Sequence, residues 1–190
     1  MRIVILRHAE VDFEWSRLCS SKKFDSECSS YDSSPIKEIV LSKPQIRYEK
    51  KYISELSRSR DTAKMVFPNE DYIRSELINE VPLRSSFDTK KEMPLWFWNT
   101  TGRLQWIFNC KRQTEGRKQT IERARRFVQM ICEDNADCAI ITHGFFMHTL
   151  IKEIKKAGFK TNNPSVVYKN GECVTAERKY RNTRRKRKRI

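Results

Sequence analysis

No apolar run in the sequence approaches the length of a membrane span, and the N-terminus lacks the basic-then-apolar order of a signal peptide. Neither a spanning helix nor export is therefore expected, and the expected location is the cytoplasm. The six cysteines, Cys19, Cys28, Cys110, Cys132, Cys138 and Cys173, form no C-x-x-C pair and no zinc-ligand spacing. In a reducing compartment they are expected as free thiols. No segment repeats. Of the three histidines, His143 and His148 stand five residues apart, not the four of a zinc-binding helix. His148 is expected as a partly buried helix residue.

What is present begins with size. A chain of 190 residues, 38% hydrophobic, can bury a core without covalent staples, and one domain is expected. The formal net charge is +15, but nine of the thirteen residues from Arg178 to Ile190 are Lys or Arg, which leaves +6 on the rest. The expected organisation is a domain over 1–177 and a basic, disordered tail over 178–190, because closely spaced like charges repel. Such a tail is either a solvated end or a weak contact to polyanions, nucleic acid or anionic membrane.

Three stretches carry chemistry. Ile3-Val4-Ile5-Leu6 reads as a buried strand that ends in Arg7-His8-Ala9-Glu10. Ligands of open α/β sheets sit beyond the carboxyl ends of the strands, so an anion held by Arg7 would meet His8. That suits phosphoryl transfer to a histidine nucleophile, although an Arg-His pair can also merely end a strand. In the second stretch, Leu56, Ala63, Val66 and Phe67 form a helical stripe, with Ser57 expected as the cap. Arg58 then lies in the first turn, where free N–H groups and the helix dipole already favour anions. Arg60 is expected on the solvated face. The third stretch, Cys138-Ala-Ile-Ile-Thr142-His143-Gly144, again ends a strand in His, with Gly144 expected to turn the backbone into a helix. If the two strands are neighbours, one phosphate would touch both rings.

The remaining elements are read more coarsely. One or two short helices are expected between Val11 and Ser34. A helix through Ile36, Ile39 and Val40 is expected after Pro35, ended by Pro44, and then a strand over 46–54. The aromatic stretch from Pro94 through Trp96, Phe97, Trp98, Leu104, Trp106, Ile107 and Phe108 has near-helical spacing. It is expected as a helix packed on the core or closing as a lid, with an aromatic wall for a base or ring as the alternative. A helix from Thr120 presents Ile121, Ala124, Phe127, Val128 and Ile131. Residues 166–174 are expected as a hairpin around Asn170-Gly171.

Arg7-His8-Ala9, the series Ser54, Arg58, Thr62, Ala63, the stretch Leu77-Ile-Asn79-Glu80 and His143-Gly144 occur in the order seen in the phosphoglycerate-mutase-like branch of the histidine phosphatase superfamily. The chain resembles that family from residue 3 to about 155. The resemblance implies an α/β fold, a mostly parallel sheet with helices on both faces. It implies His8 as nucleophile, Arg7, Arg58 and His143 around the phosphate oxygens, and Glu80 as the acid that protonates the leaving alkoxide and then activates water. It implies no metal and no organic cofactor. Ala9 stands where the family usually has Gly, which is mild if φ is negative. Glu14 or Ser16 stands where the mutases carry Asn, and a carboxylate there would repel phosphate, so mutase activity is not expected. The expected function is hydrolysis of a phosphate monoester, a small metabolite or a phosphoprotein, through phosphohistidine. The alternative is a non-catalytic phosphate- or polyanion-binding module on the same fold.

Overall fold

Strands β1 (Arg2–Arg7) and β6 (Cys138–Thr142) have no polar interruption because both of their faces are covered. They pair in parallel, with Ile3 opposite Cys138 and Arg7 opposite Thr142. A computed structural model of the chain describes residues 1–38, 48–162 and 167–178. Between β1 and β6 the chain forms β2 (Leu18–Cys19), α1 (Ser21–Ser33), β3 (Lys50–Ile53), α2 (Ser57–Val66), β4 (Ile73–Arg74), a 3-10 turn (Glu76–Ile78), β5 (Met93–Pro94), α3 (Leu95–Ile107) and α4 (Arg117–Asp134). After β6 come α5 (Gly144–Lys156), β7 (Lys160–Thr161) and β8 (Cys173–Glu177). The sheet order is β4-β3-β6-β1-β8-β7. Strands β4, β3, β6 and β1 run parallel, while β8 is antiparallel to both β1 and β7. A separate antiparallel pair joins β2 and β5.

Side chains of β1 and β6 alternate between two apolar layers. Ile3, Ile5, Cys138 and Ile140 meet Phe127 and Ile131 of α4 and Phe146, Leu150 and Ile154 of α5. Leu6, Ala139 and Ile141 meet Ala63 and Val66 of α2 and the following Phe67. Helices thus cover both faces, as expected. Burial of each such aliphatic side chain contributes about 1.5–3 kcal/mol. On α4 the buried stripe is Thr120, Ala124, Phe127, Val128 and Ile131, so Ile121 falls outside it.

Helix α3 is packed rather than free. Trp98 is fully buried against Cys19 and Phe24 and donates Nε1–H to Cys19 O at 2.9 Å. Trp106 donates its Nε1–H to Thr120 Oγ1 at 2.8 Å. The six cysteines are free thiols. Among the described residues, no helix is long and apolar enough to cross a membrane.

Several expectations are corrected. Ile36 forms an antiparallel bridge with Val11, flanked by bonds from Asp12 N to Pro35 O and from Lys37 N to Glu10 O, so the described residues after Pro35, 36–38, are not helical. Ile39, Val40 and Pro44 lie outside the described residues, as do the first residues of the strand expected over 46–54. The Asn170-Gly171 turn is present, with Gly171 at φ 76°. It does not close a hairpin, because β8 pairs with β7 and β1 and the described residues 167–172 form no strand. Arg178 donates its backbone N–H to Met1 O at 3.0 Å and lays its guanidinium over Phe159 at 4.7 Å. Residues 179–190 lie outside the described residues.

Candidate active site

Parallel pairing of β1 and β6 brings the two strand-ending histidines together, with ring centroids 5.0 Å apart and planes inclined at 54°. The backbone N–H of His8 continues the ladder to Thr142 O at 2.9 Å. Its ring Nδ1 lies 2.6 Å from the carbonyl oxygen of Ala9. A carbonyl only accepts, so Nδ1 carries the proton and Nε2 keeps its lone pair. Burial, then the charge of Arg58 and more weakly that of Arg7, lower the His8 pKa to about 3, against the bond to Ala9 O, which raises it. The ring is therefore neutral at neutral pH. Ala9 is accommodated because positive φ occurs only at other residues among those described. Its N–H donates to Thr62 Oγ1 at 2.9 Å, and that hydroxyl donates to Arg58 O at 2.6 Å.

His143 is fully buried and does not line the cavity. Arg58 Nε donates to its Nδ1 at 3.2 Å, which places the ring proton on Nε2. Nε2 then donates to Ser54 Oγ at 2.7 Å, with Ser59 Oγ at 3.3 Å. Burial first, then the charges of His8 and Arg58, hold its pKa well below the ordinary histidine value. The Ser54 hydroxyl in turn donates to Asn79 Oδ1 at 2.8 Å and accepts from Leu56 N at 3.2 Å. Ser54 is thus the serine that organises the start of α2. Ser57 is the first helical residue, makes no cap and donates to Asp32 O instead.

Arg58 is 2% exposed although it begins a helix. Besides His143 it donates Nη1 to Asp32 Oδ1 at 2.8 Å, and its guanidinium lies 5.2 Å from the Tyr31 ring. Arg7 donates Nη1 to Tyr168 O, and its buried Nε has no hydrogen-bond partner among the described residues. A buried, unmet donor is costly, and a bound anion offsets part of that cost by drawing on the same cation. Gly144 makes the approach of Arg7 possible. A Cβ there would come within 2.8 Å of Arg7 Nε, so its contribution is space for a guanidinium, not a special turn.

Glu80 is delivered by the 3-10 turn. Thr142 Oγ1 donates to Ile78 O at 2.7 Å, and Arg123 Nη1 donates to Leu77 O and Asn79 O at 2.9 and 2.8 Å. The Glu80 carboxylate then accepts N–H bonds from Phe146 at 2.9 Å, Phe145 at 3.3 Å and Val81 at 2.9 Å. It sits at the positive end of the α5 dipole.

Arg7, His8, Arg58 and Glu80 line one cavity of about 1200 Å³. Trp15, Tyr31, Leu56 and, from the start of α3, Leu95 supply an apolar wall, to which Trp96, Phe97, Trp98, Trp106 and Phe108 do not contribute. Of the basic residues that follow Glu80 in the sequence, Arg84 lines the cavity and Lys90 and Lys91 do not. Glu14 is exposed and is not among the residues that line the cavity. His148 is half-buried at the cavity edge. Asn170, missed in the sequence, donates to His8 O at 3.0 Å and Ala9 O at 3.2 Å, bracing the turn after His8. Its only signal was the Asn-Gly pair. Asp32 gave no signal. Among the described residues no three His, Cys, Asp or Glu side chains group to hold a metal ion.

The two buried neutral rings set a pH dependence. In the unfolded chain each His titrates near 6.5, whereas the folded protein refuses the proton. Below about pH 6.5 the unfolded state therefore binds more protons, and stability falls as pH falls. For His8 the loss continues down to about pH 3. Each excluded proton costs up to about 1.4 kcal/mol per pH unit. The melting temperature should drop between pH 7 and pH 4.5, above the range where ordinary carboxylates dominate. A flat profile would show that the rings are charged in the folded protein.

No curated protein matches the chain. Solved structures share its fold at low identity. Phosphoserine phosphatase from Entamoeba histolytica, as a mutant in complex with phosphoserine, is 12% identical with a TM-score of 0.54, covering 92% of this chain and 89% of that one. Alpha-ribazole phosphatase from Shigella flexneri is 16% identical with a TM-score of 0.53 and the same coverage. A mycobacterial glucosyl-3-phosphoglycerate phosphatase is 14% identical with a TM-score of 0.57, covering 92% and 88%. A family model described as Histidine phosphatase superfamily (branch 1) matches residues 3–187, nearly the whole sequence, and the chain belongs to that superfamily.

Proposed function

We propose that the protein hydrolyses phosphate monoesters through a phosphohistidine on His8. The observation that carries this reading is the bond between His8 Nδ1 and Ala9 O, which fixes the tautomer and leaves Nε2 as a lone pair beside Arg7 and Arg58. Nε2 attacks phosphorus, and the bond from phosphorus to the ester oxygen breaks. Glu80 in its acid form gives that oxygen a proton, and the alcohol leaves. The imidazolium of phosphohistidine keeps its Nδ1–H on Ala9 O. Water then attacks phosphorus, Glu80 takes its proton, and the P–N bond breaks to release phosphate and return His8 to its neutral state.

Arg7 and Arg58 hold the phosphate oxygens and stabilise charge where it develops, with little reorganisation because packed elements fix both. In this reading His143 acts on the phosphate through Arg58, whose Nε it holds. The structural relatives named for phosphoserine, alpha-ribazole and glucosyl-3-phosphoglycerate phosphatases support the reaction class. A panel of phosphate esters assayed with EDTA present tests it. Hydrolysis of one or more members should survive the chelator, and base-quenched protein should retain an acid-labile phosphate. No turnover of any member would favour the phosphate-binding module instead.

A further inference from the structure

Helix α3 is apolar around nearly its whole circumference. Among its 13 residues only Arg103 is charged, and that guanidinium is turned inward, 3.7 Å from the centre of the Phe145 ring. A helix apolar on all sides belongs in an interior. Only one side of α3 is covered, through Trp98, Gly102 and Trp106. Trp96, Leu104, Ile107 and, at the helix end, Phe108 are 67%, 47%, 40% and 74% exposed. At about 100° per residue, Trp96, Thr100, Leu104 and Ile107 share about 80° of arc opposite the buried side. Phe87, 44% exposed, widens this face, its ring 6.1 Å from that of Phe97. An apolar face with a polar rim marks a contact surface.

The rim is basic at both ends of the helix. Ahead of it stand Lys90 and Lys91, and Arg17, whose carbonyl accepts the N–H of Leu95 at 3.0 Å. Behind it stand Lys111 and, at the start of α4, Arg117 and Lys118. The backbone N–H of Lys118 donates to Asn109 Oδ1 at 2.8 Å, which holds that turn against the end of α3. All six cations are exposed, and among the described residues none forms an ion pair. Of the acids in these segments, Asp88 and Glu115 are taken up by Arg112 and Arg123, which leaves Glu92.

We propose that this face of α3 docks on an anionic membrane surface, with Trp96, Leu104, Ile107 and Phe108 entering the interfacial layer and the rim cations meeting lipid headgroups. The helix is about 20 Å long, too short to span a bilayer and suited to lying along it. The charge pattern selects this occupant. Two copies joined through the face would set one basic rim against another. A nucleic acid would meet the rim and leave the apolar side chains in water. An anionic bilayer satisfies both, since its surface attracts Lys and Arg while the layer beneath takes up aromatic and aliphatic side chains. Leu95, Asn99 and Arg103, on the neighbouring edge of α3, line the cavity, so docking brings the cavity beside the lipid surface. Docking does not depend on the chemistry proposed for His8.

The test mixes full-length protein with vesicles of phosphatidylcholine, with or without phosphatidylserine, and sediments them over a series of lipid concentrations. Binding is expected with the anionic vesicles and not with the neutral ones. Trp96→Gln and Phe108→Gln should each weaken it by about 10-fold or more, the worth of burying one such side chain. Lys111→Gln and Lys118→Gln should each weaken it by about 5-fold. All four sites are exposed, so the melting temperature of each variant should stay near wild type.

Fluorescence locates the contact. Of the four tryptophans, Trp98 and Trp106 are buried and Trp15 is half-buried, so brominated phosphatidylcholine in the anionic vesicles should quench mainly Trp96. Trp96→Phe should keep most of the binding and lose most of the quenching. Binding undiminished in Trp96→Gln and Phe108→Gln, without quenching, would assign the contact to the Lys- and Arg-rich residues 178–190 and overturn the proposal. Equal binding to neutral vesicles would overturn the choice of an anionic surface. No binding to anionic vesicles would overturn the docking itself, and a dimer dissolved by the same substitutions would then make a second copy the occupant.

Discussion

His8→Ala should lower phosphate-ester hydrolysis by roughly 10⁴-fold or more, since the step that forms the covalent bond disappears. The fold should survive. The bond from His8 N to Thr142 O and those from Asn170 to the His8 and Ala9 carbonyls involve only His8 backbone atoms. Among the described residues the only hydrogen bond of the ring is to Ala9 O next in the chain, and the space it leaves opens into the cavity. Circular dichroism and melting temperature at pH 7.5 should stay close to wild type. Labelled phosphate recovered on the wild-type protein after a base quench should be missing from the variant. The variant should also lose part of the acid-dependent destabilisation, because one of the two proton-refusing rings is gone. Near-wild-type activity in His8→Ala would place the nucleophile elsewhere and remove the basis of the mechanism.

Glu80→Gln is expected to slow hydrolysis of alkyl phosphates by about 10²- to 10³-fold, the usual worth of a positioned acid. It should slow p-nitrophenyl phosphate far less, since nitrophenolate departs without a proton. The substitution keeps the shape of the side chain. Its amide oxygen can still accept from Phe146 N, where Glu80 now accepts at 2.9 Å, but the amide nitrogen cannot accept from Phe145. Some loss of order at the first turn of α5 is therefore built into the variant, and that loss should affect both substrate types equally. The dependence on leaving group separates proton donation from this structural contribution. Equal losses on alkyl and nitrophenyl esters would assign Glu80 to holding the helix end.

Residues near in sequence were the readable ones. Ile3 to Leu6 and Cys138 to Ile141 are apolar at every position, and a strand covered on two faces is the arrangement in which every position is buried. The stripe on α4 and the packed aromatic face of α3 follow from helical period. The misread elements share a cause. Pro35 and Asn170-Gly171 are strong local signals, but the partner of the following segment lies far away in the chain. Ile36 pairs with Val11, and the Asn-Gly turn caps the end of β1. A turn signal specifies where the chain bends, not which strand it then meets.

By itself the sequence determined which chemistry is available: two strand-ending histidines, an arginine beside one of them, a second arginine at a helix start, a carboxylate in mid-chain and no metal-ligand spacing. It also determined the apolar runs of β1 and β6 and most of the buried stripes of α2 and α4, because an apolar run and a 3.6-residue period are local properties of the chain. Only the tertiary structure decided that β1 and β6 are neighbours, which places His8 and His143 5.0 Å apart. It decided the two tautomers, the burial of His143 behind Arg58, and the pairing of Arg58 with Asp32. Apart from the His8 tautomer, which the next residue sets, these depend on contacts across 26 residues, Asp32 to Arg58, up to 135, Ile3 to Cys138, and such contacts follow from packing and charge in three dimensions, not from local pattern.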